Sequence, residues 1–289
     1  MAASVQLINW AIFIALSLIW GSSFILMKIG LQSLTAYQVA AIRLLSAGIV
    51  LLPVAARQFR KMPMDKMHLI IISGIAGSFL PAFLFCIAET KIDSSLTGIL
   101  NALTPVFTLT TGILFFKTPL HWRKLAGVVT GLAGLCLLLL SKGKIELAFL
   151  PYATLVILAT VCYGFNVNMV SKYLRDTGSL NIAAFAFSFL TVPSFLILYF
   201  SGYFTLSLTQ KPYLISTGAA IILGVMGTAV ASVIFYMLVK RAGVLFTSMV
   251  TYAIPFVAIL WGLLYQEGIS LLELVCLGII LAGVSLTNN

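Results

Sequence analysis

Polar side chains recur at helical spacing inside long apolar stretches, where they are the groups best able to bind a small molecule. The clearest series is separated by four, three, four and three residues: Thr97, Asn101, Thr104, Thr108 and Thr111. This spacing places them on one face of a helix. Asn101 carries the strongest signal, because an unpaired carboxamide in hydrocarbon costs roughly 2–7 kcal/mol. The face is typical of a cavity wall, or of hydroxyls that bond back to their own backbone between packed helices.

A second pattern combines aromatic and polar residues. Trp20 and Ser23 lie three residues apart on one helix face, and Tyr163 and Asn166 repeat this arrangement 143 residues later. The alternative for Trp20 is an aromatic belt at the membrane surface. Its position well inside an apolar stretch favours a cavity, which we expect these four side chains to line.

Other aromatic and polar residues extend the candidate site. Tyr236 continues a stripe with Thr228 and Ser232, and Thr251 follows Asn101 by 150 residues. Aromatic rings at helical spacing, such as a Phe79 and Phe83 pair, are typical of packing as well as of binding. We include both phenylalanines among the candidates.

Arg43 is a charged residue well inside an apolar stretch. A guanidinium there could bind a substrate carboxylate through two hydrogen bonds. It could instead extend towards the membrane surface or bind carbonyls at a helix end. The predicted binding residues are therefore Trp20, Ser23, Arg43, Phe79, Phe83, Asn101, Tyr163, Asn166, Tyr236 and Thr251. No catalytic residue, metal ligand or cofactor is predicted.

The composition indicates which elements must position these side chains. Of 289 residues, 61% are hydrophobic and 8% are charged, whereas soluble proteins have about 25% charged residues. About 20 apolar residues cross a bilayer as a helix, so the chain is long enough for roughly ten crossings. The sequence predicts an all-α integral membrane protein and excludes a soluble enzyme or a nucleic-acid-binding domain. The predicted spans are 8–29, 35–56, 67–88, 94–116, 122–141, 149–171, 180–200, 213–239, 243–265 and 269–287.

Basic residues are unevenly distributed between the two sides of these spans. Five Lys lie on one side, Arg43 is inside a span, and the remaining eleven of the 17 Lys and Arg are on the amino-terminal side. The positive-inside rule therefore predicts that both termini are cytoplasmic in a multi-pass protein of the cell (inner) membrane. This asymmetry accounts for the net charge of +10 without a nucleic-acid partner.

The two halves of the chain resemble one another. A shift of 150 residues aligns Gly77 with Gly227, Phe85 with Phe235, and Pro105 with Pro255. A repeat of five helices is odd-numbered, so its second copy must cross the membrane in the opposite direction. Loop charges reverse accordingly between the halves. We therefore predict two inverted five-helix repeats, residues 1–145 and 146–289, around a central cavity, as in many secondary transporters.

Short motifs resemble the drug/metabolite transporter superfamily, in its ten-helix EamA type. They are Ile19-Trp20-Gly21-Ser22-Ser23-Phe24, the mid-span prolines Pro105 and Pro255, and the carboxyl-terminal run from Glu267 to Val284. The resemblance implies ten helices, cytoplasmic termini and export or exchange of small metabolites. In one respect the chain departs from it, since Lys117 stands where the family often has a glutamate at the end of the first half.

These patterns predict a secondary transporter of small metabolites, such as amino acids, in the lipid bilayer, as a monomer or weak dimer. The alternatives are efflux of amphipathic drugs, or a membrane receptor or structural protein that does not transport. Every Asp and Glu falls in a loop or near a span end. We therefore expect no acidic proton site in the membrane, and transport by facilitated diffusion or exchange.

Overall fold

A computed structural model describes residues 2–62, 64–141, 150–257 and 271–288. In this part of the chain the regular structure is helical throughout and contains no strand. The α-helices are α1 (Ala2–Gly30), α2 (Ala36–Gln58), α3 (Met67–Gly74), α4 (Leu80–Ala88), α5 (Ser94–Asn101), α6 (Thr104–Phe116), α7 (Trp122–Ser141), α8 (Leu150–Tyr173), α9 (Ser179–Phe200), α10 (Lys211–Gly224), α11 (Ala231–Ala242), α12 (Val244–Ser248) and α13 (Leu271–Asn288).

Long apolar helices confirm the predicted fold class of an all-α membrane protein. Among the described residues, seven helical stretches are long and apolar enough to cross a bilayer, from Val5–Gly30 to Lys211–Ala242. Val244–Val257 and Val275–Leu286 are shorter apolar helices. Many large apolar side chains, such as Phe200 and Leu140, are exposed on the outside of the bundle. Such a surface is stable against lipid rather than water. The total of ten crossings stays a prediction.

The fourth predicted span is interrupted, whereas the sequence predicts one continuous helix over 94–116. Helix α5 ends at Asn101, and α6 begins at Thr104. Pro105 has no backbone N–H, so it cannot bond the carbonyl of Asn101 four residues earlier. That carbonyl instead accepts a hydrogen bond of 2.6 Å from the Thr104 hydroxyl. The expected single stripe of polar residues is therefore divided between two helices.

Two π-helical segments interrupt the third and eighth predicted spans. Ile75–Phe79 joins α3 to α4, and Val225–Val230 joins α10 to α11. The two segments begin 150 residues apart, at the same shift that aligns the halves of the sequence. A π-helical turn widens the helix and occurs frequently at functional sites. Both segments contribute residues to the cavity described below.

Close helix packing holds the bundle together at two principal contacts, α2 against α9 and α7 against α13. In the second, a Cβ on Gly283 would lie 2.5 Å from the backbone nitrogen of Gly131. Glycine at both positions therefore allows the backbones to approach closely, as small residues do between membrane helices. A Cβ on Gly278 would meet nothing within 4 Å, so that glycine does not serve this contact.

Some sequence predictions lie outside the described residues. These are the loop bearing Lys142, Lys144 and Glu146, the end of the ninth span, and the start of the carboxyl-terminal motif at Glu267.

Candidate functional site

A cavity lies at the centre of the bundle, with an empty volume of about 820 Å³ including its mouth. It is lined by side chains from both halves of the chain. The lining residues are Trp20, Ser23, Phe24, Met27, Arg43, Gly77, Ser78, Phe85, Asn101, Thr104, Tyr163, Asn166, Gly227, Thr228, Ser232, Phe235, Tyr236, Ser248 and Thr251.

Most of the binding residues predicted from the sequence are brought together in this cavity. Eight of the predicted residues belong to its lining: Trp20, Ser23, Arg43, Asn101, Tyr163, Asn166, Tyr236 and Thr251. Their role in binding remains a prediction. They come from six different helical segments, so the fold assembles residues that are up to 231 positions apart, from Trp20 to Thr251.

The phenylalanine pair is placed elsewhere. Phe79 and Phe83 contact one another with ring centroids 5.0 Å apart, and Phe83 also contacts Tyr37 at 6.1 Å. Neither ring belongs to the cavity lining. The two rings pack beside α2. Helical spacing of aromatic residues is typical of such packing as well as of binding.

Arg43 is directed into the bundle. Its Nε donates a hydrogen bond of 2.6 Å to the hydroxyl of Thr228 in the second π-helical segment. Among the described residues its two terminal nitrogens make no hydrogen bond or ion pair. The side chain therefore does not extend to the membrane surface. Arg43 lines the cavity, and a guanidinium whose terminal N–H groups have no partner can bind an anionic group.

Trp20 links the two halves across the cavity wall. Its indole Nε1 donates a hydrogen bond of 3.0 Å to the carbonyl of Gly227, and its ring lies 5.2 Å from that of Phe235. Gly227 belongs to the second π-helical segment, where the altered backbone pattern leaves carbonyls available. Trp20 is thus part of the cavity rather than of an interfacial belt.

A buried polar cluster joins three helical segments beside the cavity. The Ser73 hydroxyl donates a 2.7 Å hydrogen bond to Oδ1 of Asn166 and lies 3.2 Å from the hydroxyl of Tyr236. Asn166 and Tyr236 are almost completely buried. These bonds satisfy groups that would otherwise be costly in an apolar interior. They also fix two lining side chains from the second half against α3.

The polar stripe on α5 and α6 serves two purposes. Asn101 and Thr104 line the cavity. Further along α6, Asn168 of α8 donates hydrogen bonds to the Thr108 carbonyl at 2.8 Å and the Thr111 hydroxyl at 3.2 Å. This part of the stripe joins two helices, as the packing alternative predicts.

Several lining residues were missed as candidates. Phe24, Met27 and Phe85 form an apolar part of the wall, and the Phe85 ring lies 6.1 Å from Phe24 and 6.0 Å from Tyr163. Met27 follows Trp20 and Ser23 at helical spacing, and that spacing could have identified it. Ser248 precedes Thr251 by three residues and could have been found in the same way.

Related positions of the two halves meet in the lining. At a shift of 150, both members of the pairs Gly77 and Gly227, Ser78 and Thr228, Phe85 and Phe235, and Asn101 and Thr251 line the cavity. At a shift of 143, so do Trp20 with Tyr163 and Ser23 with Asn166. Arg43 departs from this pairing, because Ala186 follows it by 143 residues.

The electrostatic character of the cavity follows from its side chains. Arg43 is the charged residue of the described lining, which includes no Asp or Glu. The remaining groups are hydroxyls, amides and aromatic rings. The described residues contain no group of three His, Cys, Asp or Glu that could hold a metal ion. The lining thus offers one positive charge, neutral hydrogen-bonding groups and aromatic rings to a bound molecule.

A multi-span helical bundle around a central polar and aromatic cavity is an architecture that many membrane transporters have. Two parts of the chain, residues 8–140 and 150–289, match the EamA-like transporter family. The chain belongs to that family.

Individual relatives agree with this assignment. The chain is similar to YedA, an uncharacterized inner membrane transporter of Escherichia coli K12. The two sequences are 28% identical over 282 residues, and the aligned region covers 95% of this chain and 88% of YedA. It is 26% identical to a probable amino-acid metabolite efflux pump of the same organism, over 42% of this chain and 39% of that protein. A solved crystal structure with 17% identity has the same fold, with a TM-score of 0.72 over 98% of this chain and 96% of its own.

Proposed function

We propose that this protein is a secondary transporter that exports or exchanges small zwitterionic metabolites, such as amino acids with apolar side chains, across the inner membrane. The observation that carries the proposal is the guanidinium of Arg43, whose terminal nitrogens have no partner among the described residues, in a cavity whose described lining holds no acid. A substrate carboxylate would bind Arg43, while its apolar part would contact Phe24, Phe85 and Tyr163.

The two-sided lining supports an alternating-access mechanism. Residues of the first half contact those of the second through the bonds from Trp20 to Gly227 and from Arg43 to Thr228. A relative movement of two inverted repeats, residues 1–145 and 146–289, would break and remake these bonds around a fixed central site. The paired π-helical segments support this division. The relative named as an amino-acid metabolite efflux pump also favours this substrate class.

Equilibrium binding to the detergent-purified protein tests the substrate class. The panel consists of L-leucine, L-phenylalanine, their amides, which lack the carboxylate, and tetraphenylphosphonium as an amphipathic cation. Ligand that binds the folded state raises the melting temperature by mass action. We expect the two amino acids to raise it and their amides to have a smaller effect. Stabilisation by the cation but by neither amino acid would favour drug efflux instead.

A matched pair of variants identifies the site. Arg43→Gln removes the guanidinium of the cavity, and Arg57→Gln removes the one at the end of α2, outside the lining. We expect the first to lose stabilisation by amino acids and the second to retain it. Equal behaviour of the two variants would place the carboxylate site elsewhere.

A further inference from the structure

One carboxylic acid is buried at an end of the helical bundle, beyond the cavity. Glu89 follows the last residue of α4 and is 1% exposed. Among the described residues, neither of its carboxyl oxygens has a hydrogen-bond partner, and it forms no ion pair within 4.0 Å. A buried polar group without a partner is rare and calls for an explanation.

Packing alone does not require an acid at this position. The residue 150 positions later, Val239, is 2% exposed near the end of α11. An apolar side chain therefore fills the related position in the second half. The carboxyl of Glu89 also lies at the carboxyl end of α4, where the helix dipole disfavours a negative charge. Neither packing nor the helix dipole therefore accounts for a carboxyl at this position.

Glu89 lies next to the wall of the cavity. It follows Phe85 by four residues, on the same face of the helix, and is thus about 6 Å further along the axis. Phe85 lines the cavity. Met27, another lining residue, immediately precedes Lys28 at the same end of the bundle. Glu89 therefore lies about one helical turn beyond a residue of the cavity wall.

The neighbouring charged and polar groups favour the ionised form of Glu89, whereas burial opposes it. Lys28 from α1 and Arg43 from α2 favour its charged form, as does the Ser94 hydroxyl of α5, which lies near without completing a hydrogen bond. On its own helix it faces the thiol of Cys86. The adjoining first half of α8, residues 150–160, carries Tyr152 and no charged side chain. Because burial favours the protonated acid and these neighbours favour the ionised one, the two protonation states of Glu89 are close in free energy.

Burial has the larger effect on the acid. The apolar span of α3 and α4 ends at Ala88, and Glu89 follows it. Removal from water raises the pKa of the Glu89 carboxyl to about 8, against the opposing influence of Lys28 and Arg43. A group that titrates in this range gains or loses its proton when a nearby charge is added or neutralised.

We propose that Glu89 is the proton-binding group of this transporter and is linked to the substrate through Arg43. When a substrate carboxylate neutralises Arg43, Glu89 loses that positive neighbour and takes up a proton. When the substrate leaves, the guanidinium again stabilises the ionised Glu89, and the proton is released. Substrate and proton therefore bind together.

This inference rests on the proposed function for its substrate. It replaces the expectation of uncoupled transport, which rests on every Asp and Glu lying in a loop or near a span end. The charge pattern predicts that this end of the bundle faces outwards, so external acidification would slow the release of an exported substrate.

The first test needs no substrate. The melting temperatures of the wild type, Glu89→Gln and Asp93→Asn are measured in detergent between pH 5 and pH 9. Asp93 is an exposed acid at the same end, and its variant is the matched control. Because folding raises the pKa of Glu89, the folded protein binds this proton more tightly than the unfolded chain does. The protein is therefore more stable at low pH, and this stabilisation is lost as the pH rises to about 8. Glutamine mimics the protonated acid, so Glu89→Gln and the wild type should melt alike at pH 5.

At pH 9 the glutamine variant should melt higher than the wild type by at least ~3 °C. Asp93→Asn should follow the wild type throughout. A difference between Glu89→Gln and the wild type that does not change with pH would overturn the proposal.

The second test uses proteoliposomes at zero membrane potential and radiolabelled L-leucine and L-phenylalanine. Counterflow without a pH gradient tests the proposed function. An internal pH one unit above the external pH tests the coupling, and one proton per substrate gives accumulation of about tenfold. We expect the wild type and Asp93→Asn to accumulate substrate, and Glu89→Gln to retain counterflow without accumulation.

The outcomes separate the two proposals. Absence of counterflow in the wild type would refute the proposed function, and the melting profiles would still decide whether Glu89 binds a proton. Counterflow without accumulation in the wild type, or accumulation that persists in Glu89→Gln, would overturn the role of Glu89 alone.

Discussion

A methyl group on Gly77 would overlap the side-chain amide of Asn166. This contact joins the first π-helical segment to α8 beside the cavity, where Asn166 accepts a hydrogen bond from Ser73. The absence of a side chain at Gly77 therefore allows the amide to occupy its place in the lining.

Gly77→Ala should displace Asn166 and weaken amino-acid binding at least ~10-fold, because the Asn166–Ser73 bond is lost and the lining shifts. Gly218→Ala is the control, since a Cβ there would meet nothing within 4 Å. It should bind normally and melt at or slightly above the wild-type temperature. Titration of both variants with L-leucine provides the comparison, and wild-type affinity in Gly77→Ala would show that this contact does not shape the site.

Trp20→Phe removes the indole donor to the Gly227 carbonyl and keeps an aromatic ring beside Phe235. We expect destabilisation by about 1 kcal/mol, the usual net contribution of a hydrogen bond, together with slower exchange. Trp122→Phe alters an exposed tryptophan at the start of α7 and should leave both properties unchanged. Stability and exchange rate are measured by thermal unfolding and counterflow. If Trp20→Phe matches Trp122→Phe in both, the bond does not link the halves.

Asn101→Ala should reduce the rate of amino-acid exchange about tenfold with a smaller effect on the melting temperature, since its side chain lines the cavity. Thr110→Ala changes an exposed residue on the neighbouring α6, whose hydroxyl bonds the Val106 carbonyl. That variant should exchange normally. Initial rates in proteoliposomes give the result. Normal exchange in both would remove Asn101 from the binding site.

Membrane orientation gives a further prediction. A cysteine replacing Arg60 should react with a membrane-impermeant maleimide only from the cytoplasmic side, and one replacing Asp93 only from outside, because basic loops remain in the cytoplasm. The labelling is done in intact and permeabilised cells, on a protein whose native cysteines are replaced. Reaction of both positions from the same side would contradict the predicted topology.

The sequence was sufficient to predict much of the cavity lining, because polar groups inside apolar helices have few stable locations other than a cavity or a helix contact. Spacing alone placed Trp20 with Ser23 on one helix face, and Asn101 with Thr97 and Thr104 on another. It could not show which neighbouring helix each face meets. Phe79 and Phe83 therefore satisfy the same rule and yet pack beside α2.

The remaining differences arise from backbone and tertiary effects. Pro105 indicates a possible kink, but the two-residue break after Asn101 also depends on the Thr104 hydroxyl. The π-helical segments have no established sequence signature. Glu89 is adjacent to a predicted span, and its burial depends on side chains from other helices that local sequence does not specify.

We expect small zwitterions to cross the membrane through the cavity at Arg43. The most direct measurement is counterflow of radiolabelled L-leucine into liposomes containing only this protein, comparing the wild type with Arg43→Gln and Arg57→Gln. We expect rapid uptake into leucine-loaded vesicles for the wild type and Arg57→Gln, and a rate at least ~10-fold lower for Arg43→Gln, because a charge-assisted hydrogen bond is lost. Equal rates in all three proteins, or no uptake by the wild type, would contradict the account.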